Sequence, residues 1–179
     1  VQSYLASVTF ADHCLGLVLD ALESSAYGNN TVIALFSDHG FHLGEKERWA
    51  KRSLWEDGTR VPIIVSAPGY KKNQKSERPA ELLDVFPTLL ELAGLPADPT
   101  QEGQSLVPLM KDPKREWKHP AITSFGLGNY SVRTTRYRFI QYFDGSRELY
   151  DLSKDPHEWK NLAADPKNKS IIEEHAAHL

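Results

Sequence analysis

A short apolar run that gives way at once to polar and charged residues is the feature that most limits how this chain can fold. Residues 31–36 read TVIALF. Such an unbroken, β-branched run is typical of a strand that is buried on both faces of a parallel sheet. Asp38 and His39 follow where that strand would end. Because ligands of open α/β sheets bind outside the carboxyl ends of the strands, the sequence predicts a metal or anion site here.

The first 110 residues alternate between helical and strand patterns. Apolar residues recur at steps of three and four over 4–22, which predicts an amphipathic helix. A second strand is expected at 61–65. A further helix is expected at 84–93, with Asp84 as its N-cap. This order of elements predicts an α/β layer.

The pattern changes after Met110 to short runs rich in β-branched and aromatic residues. These runs predict a small antiparallel sheet, with strands at 121–125, 130–134, 137–142 and 147–151. The last two are joined by FDGS at 143–146, a strong hairpin signal.

One or two helices are expected to cover this sheet. Asp155 and Asp165 each precede a proline, an arrangement typical of a helix start. Glu158 would complete a capping box with Asp155. We therefore expect residues 111–179 to form a small α+β subdomain.

Composition excludes several classes of function. The formal net charge is −3 and the chain has no long basic block, so nucleic-acid binding has no support. Cys14 is the single cysteine, which rules out an internal disulfide or a multi-cysteine metal site. It lies on the apolar face of the first predicted helix, so we expect it to be buried. No apolar stretch is expected to reach the length of a membrane span.

The residue types after the first strand suit a cation and an anionic ester. Asp38 offers oxygen ligands for Ca²⁺ or Mg²⁺, and His39 offers a nitrogen. Gly40 lets the backbone turn tightly. Lys51 could neutralise the charge of an ester as it breaks. The alternative is that Asp38 caps a local turn and His39 is a hydrogen-bonded surface residue, and the residues alone leave both interpretations open.

Other polar residues carry weaker signals. His13 and His42 are isolated in the sequence, and a structural role is the ordinary explanation for such histidines. A basic group could meet an acidic polymer or simply form a solvated loop; its members are Lys71, Lys72, Lys75 and Arg78.

Longer motifs that contain these residues resemble the sulfatase family of the alkaline phosphatase superfamily. They are SDHGFHLGEKERWAKRSLWEDGTRVPIIVSAPG at 37–69, LDVFPTLLELAG at 83–94, GQSL at 103–106 and ELYDLSKDPHE at 148–158. The motifs occur in the family's order over most of the chain. WAK at 49–51 and YSVRTTRY at 130–137 look most like the iduronate-2-sulfatase subfamily and its bacterial relatives.

The resemblance implies both a fold and a reaction. Residues 1–110 would be the C-terminal part of an alkaline-phosphatase-like α/β catalytic domain. Residues 111–179 would pack a four-stranded antiparallel sheet against a helix. The family hydrolyses sulfate esters: a Cys or Ser in a C/S-x-P-x-R motif is converted to formylglycine, whose hydrate attacks the sulfur beside a bound Ca²⁺. The alcohol leaves, and sulfate is then released.

The resemblance also implies roles for four residues. Asp38 and His39 would be metal ligands, for Ca²⁺ or, as the other possibility, Mg²⁺. Lys51 would contact the sulfate as a catalytic and substrate-binding residue, and Phe41 would line the substrate cleft. The nucleophile motif does not occur in this sequence, and Cys14 lies in a different context. We therefore expect the formylglycine in an upstream part of the same polypeptide and no activity from this chain alone.

The expected partner is a sulfated carbohydrate, with no nucleic acid and no membrane span. Family members of this kind are exported or lysosomal. Two alternatives stay open at this point. The parent could be a phosphatase or phosphodiesterase of the same superfamily, which usually holds two zinc ions. The chain could instead be a non-catalytic glycan-binding module that uses the basic loop at 71–78.

Overall fold

The computed structural model describes all residues, 1–179. Its first part contains helices and one two-stranded sheet, and its second part contains a four-stranded sheet with a helix. The first elements are helix α1 (Gln2–Glu23), strand β1 (Ile33–Phe36), the one-turn helix α2 (Glu56–Thr59) and strand β2 (Ile63–Ser66). The expected fold class, an α/β portion followed by a small antiparallel sheet with a helix, is confirmed.

The expectation that the first strand lies in a parallel sheet is wrong for this chain. β1 pairs with β2 alone, and the two run antiparallel, with Ile33 opposite Ser66 and Phe36 opposite Ile63. Neither strand is buried on both faces, and the Phe36 side chain is 49% exposed. The unbroken apolar run therefore predicts a strand but does not identify the strand it pairs with. Whether the pair is parallel or antiparallel depends on the connection between the two strands.

Helix α1 lies on the surface along its whole length. None of its residues is buried, so the expectation of a buried Cys14 is wrong: the thiol is free and exposed. By length and composition alone α1 could cross a membrane, contrary to the expectation that no stretch reaches that length. Core helices of soluble proteins and signal sequences have the same properties.

Helices α3 (Val85–Leu92) and α4 (Val107–Lys111) are joined through buried polar groups. The predicted N-cap, Asp84, does not cap α3 with its side chain. Its carboxylate instead accepts hydrogen bonds from the backbone of Glu81 at 2.8 Å and of Gln104 at 2.7 Å. Thr88 Oγ1 accepts from Leu106 N at 2.8 Å. These bonds satisfy buried donors that would otherwise be costly to leave unpaired.

The second part is a meander of four antiparallel strands in the order β3-β4-β5-β6. The strands are β3 (Ala121–Ser124), β4 (Tyr130–Arg133), β5 (Tyr137–Gln141) and β6 (Arg147–Asp151), close to the predicted bounds. Helix α5 (Lys169–Ala176) covers one face of the sheet. The core on that face contains Val132, Phe139, Leu149 and Ile172.

The opposite face of this sheet is also covered. Ile140 and Tyr150 pack there against Leu54, which comes from the segment between β1 and α2. Phe139 and Ile140 are neighbours on β5, so they point to opposite faces, and both are fully buried. The sheet therefore joins α5 to the segment that follows the first strand.

The expected helix start at Asp155 is wrong. Residues 155–158 form turns, and the only helical structure beyond them begins at the 3₁₀ turn Pro166–Asn168, where Asp165 accepts from Lys167 N as predicted for a cap. Glu158 adopts a positive φ of 58° and its side chain is buried. It therefore completes no capping box and faces the interior of the molecule.

We expect the Phe139→Ala substitution to lower the free energy of unfolding by about 3–5 kcal/mol, because it leaves a cavity in a fully buried core. Urea unfolding of the full-length protein would measure the change. Phe143→Ala is the matched control, since the Phe143 side chain is 73% exposed and should change stability little. Equal losses for the two variants would contradict this assignment of the core.

Candidate functional site

The candidate site is built around residues 37–55, the segment that joins β1 to α2 and is called the site loop below. Three backbone hydrogen bonds, each 3.0 Å long, fold the segment back on itself. Gly40 N donates to Gly58 O, His42 N to Ala50 O, and Gly44 N to Arg48 O. The site loop is thus a hairpin-like structure whose base rests on α2.

Two glycines allow this base to close. A β-carbon at Gly40 would lie 2.1 Å from Asp57 O. One at Gly58 would lie 2.2 Å from Ser53 Oγ and 2.9 Å from Lys51 O. These distances are shorter than any side chain tolerates, so only glycine permits the approach. The backbone of Lys51 is therefore fixed directly against α2.

Asp38 and His39 lie at the end of β1, side by side. His39 Nδ1 is 2.8 Å from Gly40 O, and a carbonyl oxygen only accepts, so Nδ1 carries a proton. In the neutral ring Nε2 then keeps its lone pair, and it lies 3.5 Å from Asp38 Oδ2. Two acceptors that face each other are stabilised by a proton or a cation between them. The pair is therefore suited to hold a divalent ion.

Lys51 shares a cleft with this pair. The cleft is open, has a volume of about 1610 Å³, and is lined by Asp38, His39 and Lys51 among others. Lys51 is exposed and has no carboxylate within 4.0 Å. Other cations without a salt bridge line the same cleft, namely Arg52, Arg60, Lys71, Lys72 and Arg78. Their charge favours an anionic ligand.

The structure does not bring Phe41 into this cleft. Its ring is half-buried and lies 5.7 Å from the ring of Tyr4 on α1. A substrate-binding role for Phe41 therefore stays a prediction. Of the four sequence-predicted site residues, Asp38, His39 and Lys51 lie in one cleft.

His42 has the structural position expected of an isolated histidine. It is fully buried, its Nε2 lies 2.7 Å from Ser53 Oγ, and its ring meets the edge of Trp55. Burial lowers the pKa of His42 below its usual value, and the nearby Asp57 carboxylate only partly opposes this effect. The neutral ring thus forms part of the interior of the site loop.

A second group of possible metal ligands surrounds His42. Ligand atoms of His42, Glu45 and Asp57 lie within 4.8 Å of one another. However, Glu45 Oε2 already accepts from Leu43 N at 2.6 Å. The cations Arg48 and Lys46 lie close enough to lower the pKa of His42, so the two carboxylates already have positive neighbours. This cluster is therefore weaker as a cation site than the pair in the cleft.

A buried ionic network attaches α2 to the four-stranded sheet, and no local sequence pattern predicts it. Glu56 Oε2 contacts Arg133 Nε at 3.2 Å and also the Arg138 guanidinium, whose Nε lies 2.7 Å from Glu158 Oε1. Glu56 N donates to Glu158 Oε2 at 2.8 Å. The only signal is one arginine in each of β4 and β5, which cannot identify partners about 80 residues away.

The two carboxyl groups of this network differ in their pKa. Burial is the largest influence on both and disfavours the charged forms. At Glu56 the Arg138 and Arg133 charges outweigh burial and lower the pKa. At Glu158 burial prevails over Arg138 and raises the pKa. Glu56 is therefore the firmly ionised partner of the two arginines.

Comparison with known proteins gives a consistent result. The family model described as Sulfatase matches residues 1–95. A "Sulfatase" from Formosa agariphila is 47% identical over 173 residues, which is 97% of this chain and 34% of that protein. The "Delta 4,5-hexuronate-2-O-sulfatase" of Bacteroides thetaiotaomicron is 37% identical over 177 residues, 90% of this chain and 36% of that protein.

Solved structures share the fold. A protein solved in complex with its substrate, D-glucosamine-2-N,6-O-disulfate, superposes with a TM-score of 0.87 at 27% identity, over 98% of this chain and 38% of that one. The chain therefore spans about a third of the length of the relatives it matches.

We expect stability to depend on pH through His42. The pKa of the folded ring is lowered, so below about pH 6.5 the unfolded chain binds a proton that the folded protein does not, and stability falls as the pH falls. Urea unfolding of the full-length protein at pH 7.5 and 5.5 would show a smaller difference for His42→Gln than for the wild type. His13→Gln, on the exposed surface of α1, should leave the difference unchanged. The same pH dependence in all three proteins would refute the assignment.

Proposed function

Because the chain belongs to the sulfatase family, we propose that it is part of a sulfuric ester hydrolase that removes sulfate from a sulfated sugar. One observation carries the proposal: an Asp–His pair suited to a cation and an unpaired lysine line the same open cleft. A cation and a lysine together can balance the charge of a sulfate ester and the charge that develops on it in the transition state.

The proposed substrate class is a sulfated uronic acid or amino sugar of a glycosaminoglycan. It is supported by a relative named for hexuronate 2-O-sulfate and by a structural relative solved with a glucosamine disulfate. The cations Arg52, Arg60, Lys71 and Lys72 suit a ligand with more than one negative group. Since Lys71 and Lys72 line the cleft itself, the basic loop is better explained as part of the substrate site than as a separate glycan-binding module.

Asp38 and His39 are the residues that would hold Ca²⁺, with Mg²⁺ as the other possibility. Their fit rests on the carboxylate, which is 82% exposed on its side chain, and on the unprotonated Nε2 that faces it. A carboxylate oxygen suits a hard cation, and the histidine nitrogen is compatible with it. When bound, the ion would supply positive charge beside the sulfate. Further ligands and the formylglycine nucleophile are proposed to come from the upstream part of the polypeptide.

Lys51 would contribute its ammonium group to the sulfate oxygens. Its side chain is exposed to the cleft and forms no competing ion pair, while its backbone is held against Gly58. A fixed backbone with a free charged end limits the reorganisation needed during the reaction. We propose that this chain alone is inactive, because it supplies a cation-binding Asp–His pair and a lysine but no nucleophile motif.

A phosphatase or phosphodiesterase is the competing activity. Such an enzyme would hold two zinc ions, and the cleft offers one Asp–His pair from this chain. The full-length protein should therefore hydrolyse 4-nitrophenyl sulfate with a higher kcat/KM than 4-nitrophenyl phosphate. We expect Lys51→Ala to lower kcat/KM for the sulfate by about 10²–10³, the usual effect of removing one transition-state contact.

The matched control is Lys118→Ala. Lys118 is exposed, lies outside the cleft and is paired with Glu116, so its loss should leave sulfate hydrolysis unchanged. Preferential hydrolysis of the phosphate would overturn the proposed reaction. Equal activities for the two lysine variants would overturn the role of Lys51.

Calcium binding can be tested without an activity assay. A cation that binds only the folded state stabilises it, so added Ca²⁺ should raise the thermal midpoint of the full-length protein after treatment with a chelator. Asp38→Asn should reduce that rise, because an amide binds a divalent cation less strongly than a carboxylate. Asp144→Asn is the control, since Asp144 is an exposed hairpin residue. A rise that is equal in Asp38→Asn and the wild type would exclude Asp38 as a ligand, and a larger rise with Mg²⁺ would change the assigned ion.

A further inference from the structure

We propose that Arg138, a nearly buried residue of β5 at the boundary of the cleft, is a positioning residue for Lys51. It would act through Glu56 and α2, so the small C-terminal sheet would take part in forming the sulfate site. This inference rests on the proposed function, since the contact it protects is that of Lys51 with the substrate.

Arg138 is the central residue of the network. Its side chain is only 3% exposed. Nη1 donates to Leu54 O at 3.1 Å and to Ser131 Oγ at 2.6 Å, while Nη2 pairs with Glu56 and Nε lies beside Glu158. The planar fork thus binds the end of the site loop, the first residue of α2 and its own sheet at the same time.

The contacts continue from Glu56 to both parts of the candidate site. Glu56 is the first residue of α2, and Gly58 is the third residue of the same helical turn. Gly58 O accepts from Gly40 N, which follows His39 directly. The missing side chain of Gly58 leaves room for Lys51 O. Moving α2 would therefore move the backbone of Lys51 and the residue after His39 together.

The site loop is also held near its tip. Lys46 donates to Glu158 O and its ammonium group lies over three rings, at 5.1 Å from Trp55, 4.8 Å from Tyr150 and 5.6 Å from Trp159. Such contacts fix a lysine by charge and by dispersion. Three of these four contacts come from β6 and the segment after it, so the tip of the loop also depends on the C-terminal sheet.

The position of α2 should depend on the charge of Arg138, which pairs with both Glu56 and Glu158. Its removal would leave Glu56 with only Arg133, and would leave the buried Glu158 without its guanidinium partner. Two buried carboxyl groups in one network repel each other when both are ionised. Glu56 and α2 should then shift away from their positions, and a displacement of about 1 Å at a catalytic contact can cost about 100-fold in rate.

A double-mutant cycle in the full-length enzyme tests the inference. We expect Arg138→Met to lower kcat for 4-nitrophenyl sulfate by about 100-fold, with a smaller change in KM. In the Lys51→Ala background the same change should cost much less, because the contact that Arg138 positions is already absent. Independent residues would give losses that multiply to within about twofold. Such multiplication would overturn the inference.

Arg136→Gln is the matched control. Arg136 forms a two-point ion pair with Asp151 at 3.0 and 2.6 Å within the C-terminal sheet, yet it contacts neither the site loop nor α2. It should change kcat little, and a loss equal to that of Arg138→Met would reduce Arg138 to a general stabilising residue and overturn the inference. Arg138→Lys, which keeps the charge but not the fork, should recover part of kcat.

A second variant and a second measurement cover the cases in which Arg138→Met does not fold or the wild type is inactive. If Arg138→Met does not fold, Glu56→Gln replaces it in the same cycle, since it removes one charge and keeps the side-chain volume. If the wild type hydrolyses no sulfate ester, the proposed function fails, and hydrogen exchange then decides on Arg138 alone. Arg138→Met should speed exchange at the amides of Gly40 and His42 relative to Arg136→Gln, and unchanged protection would overturn the inference.

Discussion

The ion-pair network of Arg133, Arg138, Glu56 and Glu158 is the interaction on which the rest of this structure depends. Removing one partner from a buried ionic group typically costs about 3–5 kcal/mol, although an apolar replacement of the whole group can be neutral. The network therefore matters less for total stability than for geometry. It holds the site loop in one arrangement on the sheet, because Arg138 contacts Leu54 O, Glu56 and Glu158 at the same time.

This arrangement explains how a flexible-looking polar segment can carry a precise site. The site loop has two glycines, many charges and few apolar residues, yet three separate contacts hold it. Gly40 at its base bonds to α2, Leu54 near its C-terminal end bonds to Arg138, and Lys46 near its tip bonds to Glu158 O. The exposed end of Lys51 and the Asp38–His39 pair project from this frame into the cleft. A rigid backbone with exposed functional atoms is the usual requirement for electrostatic stabilisation of a transition state.

Much of this structure could be predicted from local sequence patterns. Alternation and turn residues placed the four antiparallel strands to within one residue, with β6 at its predicted bounds, and the residues after β1 indicated the cleft. The partners of those elements could not be predicted. The patterns predict a parallel sheet for β1, a buried Cys14 and a helix start at Asp155. All three are wrong, because periodicity describes one face of an element and does not identify what lies against it.

The same limit applies to the ionic network. Glu56 lies 82 residues from Arg138 and 102 residues from Glu158, and a charged residue at either place is locally indistinguishable from an ordinary surface residue. Glu158 even has the spacing of a capping box, and only its burial and positive φ reveal a different role. Residues that join distant segments therefore have to be found in three dimensions.

The coverage of β5 on both faces has a consequence for the evolution of this part of the chain. Arg138 and Ile140 point towards the site loop, while Phe139 points towards α5. A shift of one residue in strand pairing would exchange these faces and place the Arg138 guanidinium in the apolar core beneath α5. Insertions and deletions should therefore accumulate in the outer hairpin at 143–146 and be rare in the short turn before β5.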